Sequence, residues 1–424
     1  MTSDDLPIGR RVASWRVRRQ MTQQMLADRL RRSKSWVDKI ERGARTLDRY
    51  SVIQELAHVL RVDPDVLLGQ PRSTPAGTPD GVDDIRAALA HYDLRQIPTQ
   101  TPDELNRQVG HAWLTYQHAH YGQLVRLLPG LLYAAQGAQS AELLVQAYRI
   151  TSSLLVKLGE PDLAWLAADR AITTAGDNRV LAAAAAISIT QALRAANRNP
   201  LALEAATRLL PPPSRPGDHE VDRRWGDQIA RQPHDHRGGR GRGRNGEGGG
   251  DGEGGGNGGS AAEWAVGGTL LVQAALAAAG CGEHRRAGEL TDRAAGVAAG
   301  LRGYDDPHRT SFGPIVVEVA RVVVAASRGD AVEALRRHST VVRREGWRRL
   351  PAEYRGAYLL DVARIYLHAG DLRGAARALV DADSVAPAEV RGRPLARTLI
   401  ADCACAQPAP AGVARLATLV GLNR

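Results

Sequence analysis

At five points between residues 159 and 375, a glycine or asparagine suited to end one helix is followed five residues later by an alanine inside the next. The pairs are Gly159 and Ala164, Asn197 and Ala202, Gly282 and Ala287, Gly329 and Ala334, and Gly370 and Ala375. In three of them a further alanine stands seven residues on, at Ala171, Ala294 and Ala382. No other feature of the sequence limits the fold as much. A glycine or asparagine in the left-handed conformation ends a helix, and a small residue inside the next helix lets two antiparallel helices touch. The spacing predicts an all-α stack of helical hairpins over residues 84–424. Composition agrees, because aromatics make up only 4% of the chain, with a single Phe. Alanine runs such as 182–186 suit close-packed helices better than a large β core.

The segment LLDVARIYLHAGDLRGAARALVDADSVAP, residues 359–387, carries Ala363, Tyr366, Gly370, Ala375, Ala382 and Pro387. In this it resembles the tetratricopeptide repeat, which implies an α-solenoid. The other copies lack the tyrosine or the proline, and repeat distances run from 38 to 47 residues. One gap, from Asn197 to Gly282, is 85 residues. It contains residues 211–260, rich in glycine and almost without apolar side chains. Such a segment cannot bury enough surface to offset its ordering entropy, so it is expected to be a disordered insertion.

Residues 1–70 form a separate domain in this reading, joined to the repeats by a Pro- and Gly-rich linker at 71–83. Five short helices are expected there. Thr22 and Ser33 have the chemistry of N-caps for the second and third, and Gly43 suits the turn that ends the third. A fourth runs through DRYSVIQELAHVL, and DPDVLLG begins a short fifth. The stretch TQQMLADRLRRSKSWVDKIERGAR has Thr22-Gln23, Leu26-Ala27, Leu30, Ser33, Val37, Ile40 and Glu41-Arg42-Gly43 at the spacing TQxxLAxxL and SxxxVxxIERGxR. It resembles the Cro/repressor-like (XRE) helix-turn-helix family, a lambda-repressor-like fold. Two departures stand out: Arg31-Arg32 replace the usual glycine–hydrophobic turn, and Leu47-Asp48 replace a common proline.

The resemblance implies that the third helix enters the major groove of DNA with its first residues at base edges. Lys34 and Ser35 hold those positions, and a lysine there donates to guanine. Trp36 and Lys39 follow on the same helix; the indole either touches a thymine methyl or sugar, or packs under the neighbouring helix. Gln23 is expected to brace the third helix and bond a phosphate. Ser33, Arg31, Arg32, Arg42 and Arg45 complete the expected DNA-contacting set, the arginines as phosphate ligands. The net charge of +10 is compatible with this, since residues 1–70 hold 14 basic against 9 acidic residues. The partner is then double-stranded DNA, read as a pseudo-palindromic operator by a homodimer. The repeat body is expected to dimerise and to sense a peptide or small-molecule effector, with Tyr148, Arg194, Gln273, Arg321 and Arg364 lining its groove. The alternative is a scaffold or adaptor whose repeats recruit a protein, DNA contact being secondary.

No paired carboxylates, nucleophile–base arrangement, phosphate loop or dinucleotide glycine motif stands in a setting that supports catalysis, so neither an enzyme nor a cofactor is expected. Cys281, Cys403 and Cys405 are too few for a disulfide framework and lack zinc spacing. His219 and His234-Asp235-His236 lie among glycines that fix no metal geometry. RGGRGRGR at 237–244 resembles segments that contact nucleic acid loosely, but the acidic GEGGGDGEGGG that follows cancels much of its field. No signal peptide and no run of 18 apolar residues is evident, which predicts a cytoplasmic protein without membrane contact. Arginine outnumbers lysine 53 to 3, a bias that fits a GC-rich bacterial genome.

Overall fold

The computed structural model describes residues 8–19, 21–45, 47, 50–60, 62, 67, 81–91, 100–138, 140–210, 261–301, 306–405 and 412–422. Among these, every regular element is a helix. The chain divides into two units: Met1–Leu163 together with Leu350–Arg424, and Ala164–Arg349. The first unit opens with a head of α1 (Ile8–Arg18), α2 (Gln23–Arg29), α3 (Lys34–Glu41) and α4 (Tyr50–Leu60). It continues through α5 (Val82–Leu89), α6 (Pro102–Gln117), α7 (Tyr121–Gly137) and α8 (Ala141–Leu158), as far as the first residues of α9 (Pro161–Ala175). The second unit holds the rest of α9, then α10 (Arg179–Ala195), α11 (Asn199–Arg208), α12 (Ala261–Gly280) and α13 (His284–Gly300). It ends with α14 (Pro314–Ser327), α15 (Ala331–Val341) and α16 (Glu345–Arg349). The first unit then resumes with α17 (Ala352–His368), α18 (Leu372–Val385), α19 (Pro387–Arg391), α20 (Pro394–Ala404) and α21 (Val413–Leu419).

The repeat signal is realised residue by residue. Gly159, Asn197, Gly282, Gly329 and Gly370 all have φ between 58° and 83°. Ala164, Ala202, Ala287, Ala334 and Ala375, with Ala171, Ala294 and Ala382, are fully buried. Within the units α10 packs on α11, α12 on α13, α14 on α15 and α17 on α18. In the last pair Gly374 lets the helices close, since a Cβ there would stand 2.3 Å from the Tyr366 ring. Phe312, the single Phe of the chain, similarly lies over Gly268 of α12. That helix is long and apolar enough to cross a membrane by length and composition, but 72% of its apolar window is buried among the helices of its unit.

The division into units departs from a simple head-then-body order. The terminal helices return to the head, and α20 packs against α4. The body's first helix also begins at Val82, inside the expected linker. The expected fifth head helix, apart from Leu67, lies outside the described residues, as do residues 71–80 and the glycine-rich segment with its histidines and RGG run. Among the described residues no group of His, Cys, Asp and Glu could hold a metal ion, and Cys281, Cys403 and Cys405 form no disulfide.

Unit one is tied together by a buried polar knot. Lys157 Nζ lies 2.8 Å from Glu353 Oε2 and 2.7 Å from Glu389 Oε1. Arg393 reaches the other Glu389 oxygen at 2.6 Å, and the Tyr121 hydroxyl donates to the same carboxylate as Lys157. These groups come from α7, α8, α17 and α19–α20, so the knot joins helices from both ends of the chain. Lys157, Arg393 and Tyr121 together hold Glu389 below the ordinary carboxylate range, although burial opposes them. Burial pushes Glu353 above that range.

Candidate nucleic-acid interface

The head is built to present the first turn of α3. Thr22 Oγ1 accepts from the Met25 amide at 3.1 Å and opens α2; Ser33 Oγ accepts from the Trp36 amide at 3.2 Å and opens α3. Each cap satisfies an amide that the first helical turn leaves free. Val12, Leu26, Ala27, Val37, Ile53, Leu56, Leu60 and Leu67 form the core below. At Gly9 of α1 the backbone of α3 comes so near that a Cβ would stand 2.0 Å from the Ile40 carbonyl oxygen. α3 is therefore seated directly on α1.

The seat is reinforced by a charged brace. Arg16 donates to both oxygens of Glu41, at 2.6 and 3.0 Å, and to the Met21 carbonyl at 2.7 Å. Gln23 donates to the same Glu41 carboxylate at 2.9 Å. Glu41 is 5% exposed, so its charge is matched by donors from α1 and α2 and α3 is locked to both. A charge-assisted bidentate pair fixes orientation as well as position. Sequence reasoning found Gln23 but missed Arg16 and Glu41. The available signal was an arginine seven residues before Gln23, at the end of an amphipathic helix. Two further arginines counted as positive surface are also internal fasteners: Arg11 donates to the Leu67 carbonyl at 2.7 Å, and Arg19 to the Leu60 carbonyl at 3.0 Å.

The remaining expected residues lie on α3 and in the turns at its two ends. Arg31, Arg32, Ser33, Lys34, Ser35, Lys39, Arg42 and Arg45 are exposed. Arg31 holds φ 53° in the turn between α2 and α3. Trp36 is half-buried and packs against the head core, with the Arg32 guanidinium 5.6 Å from its ring centroid. The indole thus takes up the packing alternative for part of its surface. Arg42 pairs with Asp38 one turn back, an exposed pair of small worth that a phosphate can displace.

The residues expected to line an effector groove fall in both units. Arg194 donates to Gln273 at 3.0 Å within unit two. Arg321 of the same unit is held by Asp292 and Glu318, both at 2.8 Å. In unit one, Tyr148 is buried and accepts from Gln136 at 3.3 Å, and Arg364 pairs with Asp361 at 2.8 Å.

Comparison with known proteins bears on the head. Residues 7–68 match the helix-turn-helix domain family. None of the curated proteins compared with the chain matches it. Among solved structures the chain is similar to the crystal structure of Bacillus thuringiensis PlcR in complex with the peptide PapR7 and DNA. That match has 10% identity and a TM-score of 0.35, and covers 79% of this chain and 94% of the other; so loose a likeness places no residue. The head stands on its own evidence, and residues 7–68 are a helix-turn-helix domain.

Proposed function

We propose that the protein is a sequence-specific DNA-binding transcriptional regulator. The observation that carries this reading is the exposed, capped and basic first turn of α3, mounted on a buried brace in a helix-turn-helix domain. A helix so mounted enters the major groove with its N-terminal residues at base edges. Lys34 and Ser35 read bases, with Lys39 one turn on and Trp36 at the edge of the contact. Arg31, Arg32, Arg42 and Arg45 bind phosphates, and Ser33 and Gln23 hold the helix in place. One such head covers too few base pairs for tight specific binding, so a two-fold dimer reads half-sites about one helical turn apart.

The repeat body is proposed to dimerise and to sense a peptide or small molecule. An anionic ligand would compete with Asp292 and Glu318 for Arg321, and with Gln273 for Arg194. It alters DNA binding only if it binds two conformations of the dimer with different affinity, and the coupling is then reciprocal. The test is a titration of the protein on the DNA upstream of its own gene, repeated over a salt series. Preference over unrelated duplex, with a steep loss of affinity as salt rises, is the expected result. Equal binding to all duplexes, or none, would refute the regulator reading.

A further inference from the structure

Among the described residues outside the head, one short stretch concentrates positive charge. Residues 335–350, LRRHSTVVRREGWRRL, hold six arginines against one glutamate. Their net charge of +5 equals that of residues 1–70 and is half of the chain's +10. The arginines come as three doublets, at 336–337 in the middle of α15, 343–344 in the following turn, and 348–349 on α16. Arg336, Arg343, Arg344, Arg348 and Arg349 are exposed.

Carboxylates answer only part of this charge. Glu333 pairs with Arg336 at 2.6 Å and Arg337 at 2.7 Å, and the hydrogen bond from Arg336 lowers its pKa to about 2. Glu345 pairs with Arg349. The guanidiniums of Arg343, Arg344 and Arg348 have no side-chain partner among the described residues. The mount beneath them is firm: Trp347 is 8% and Val341 1% exposed, and the Cβ position of Gly346 lies 3.5 Å from Ile315 of α14. Burial lowers the His338 pKa to about 4, so the patch owes its charge at neutral pH to arginine alone.

We propose that residues 336–349 are a second phosphate-binding surface, with which unit two grips the backbone of duplex DNA. Guanidinium doublets suit phosphate oxygens, which they bind bidentately. Between 336 and 349 no large apolar side chain is exposed, whereas a protein partner would need an aromatic or aliphatic anchor at the centre of its contact. Single-stranded nucleic acid would need an exposed aromatic to stack on, and Trp347 is buried. Duplex DNA needs neither, since its charge recurs every ~1.7 Å along the axis.

This inference rests on the head being a DNA reader, and the experiment separates the two. Duplexes enriched by the full-length protein from a random pool, carried in long flanks, are titrated over a salt series. Three proteins are compared: wild type, a patch variant (Arg343→Gln, Arg344→Gln, Arg348→Gln), and a control losing equal charge elsewhere in unit two (Arg179→Gln, Arg198→Gln, Arg285→Gln). The patch variant should bind about tenfold or more weakly at ~0.1 M salt, with a salt slope shallower by about 2–3. Its preference for the enriched core over a scrambled core should be unchanged, and the control should match wild type. If patch variant and wild type share affinity and slope while wild type prefers its core, the second surface is refuted and the head reading survives. If the control falls as far as the patch variant, the effect is one of overall charge and the proposal fails. Loss of binding to polyglutamate with duplex binding intact would assign the surface to an acidic protein instead. If wild type binds no duplex, both readings fall together.

Discussion

Arg31 sits at φ 53°, a left-handed conformation that costs a residue with a Cβ about 1–2 kcal/mol and glycine almost nothing. The turn between α2 and α3 therefore carries a guanidinium at the expense of stability, which is understandable if the charge meets a phosphate. Arg31→Gly should raise the melting temperature, by an amount corresponding to at most about 1 kcal/mol, because the glycine also gains entropy when unfolded. The same variant should lose DNA affinity with a salt slope shallower by about 1. Unchanged DNA binding in a stabilised Arg31→Gly protein would remove Arg31 from the phosphate contacts. Two glycines of the head make a second contrast. A Cβ at Gly9 would enter the α3 backbone, whereas at Gly43, φ 75°, nothing lies within 4 Å. Gly9→Ala should cost about 3 kcal/mol by overpacking and unseat α3, while Gly43→Ala should cost about 1 kcal/mol from backbone strain alone. Thermal melts of the two variants, with DNA binding alongside, check the order.

At the scale of elements, local rules were readable and distant pairings were not. A left-handed residue and a buried alanine five positions later depend only on one turn and one helix contact, so all five pairs stand where the sequence put them. The caps Thr22 and Ser33 are equally local. Glu41 stood in the sequence only as a motif position, and nothing in its neighbours named Arg16 and Gln23, which converge on it. Lys157 was beyond reach for the same reason, since its carboxylates stand at 353 and 389. The packing of α20 on α4 was hidden by still greater separation. The knot around Lys157 supports an asymmetric prediction. Glu389 has three donors and a lowered pKa, whereas Glu353 has a raised one. Glu389→Gln should cost about 3–5 kcal/mol at pH 7, because it leaves buried cations uncompensated, and Glu353→Gln should cost clearly less. The sign with pH follows. A carboxylate with a depressed folded pKa stabilises above its unfolded value, and loses that contribution as pH falls through the folded one. The gap between wild type and Glu389→Gln should therefore close as pH drops below the ordinary 4.5. Denaturant unfolding at pH 7 and at pH 3–4 measures it, and a gap that widens in acid would contradict the assignment.

For the whole molecule, the charge map separates recognition from support. Several arginines of the head are spent internally, on Glu41 and on the carbonyls of Met21, Leu60 and Leu67, while Arg31, Arg32, Lys34, Lys39, Arg42 and Arg45 stay exposed on α3 and in the turns at its two ends. The central claim is that this set divides into a base reader and phosphate ligands. The most direct measurement compares Lys34→Ala with Arg42→Ala in the full-length protein, each titrated on an enriched duplex and on a scrambled one. Lys34→Ala should reduce the ratio of the two affinities by an amount worth about 1–3 kcal/mol, with preference relaxed at one base pair. Arg42→Ala should weaken both duplexes alike and flatten the salt slope by about 1. If Lys34→Ala leaves the ratio intact, or if both variants weaken every sequence equally, α3 does not read bases and the account of the head is wrong.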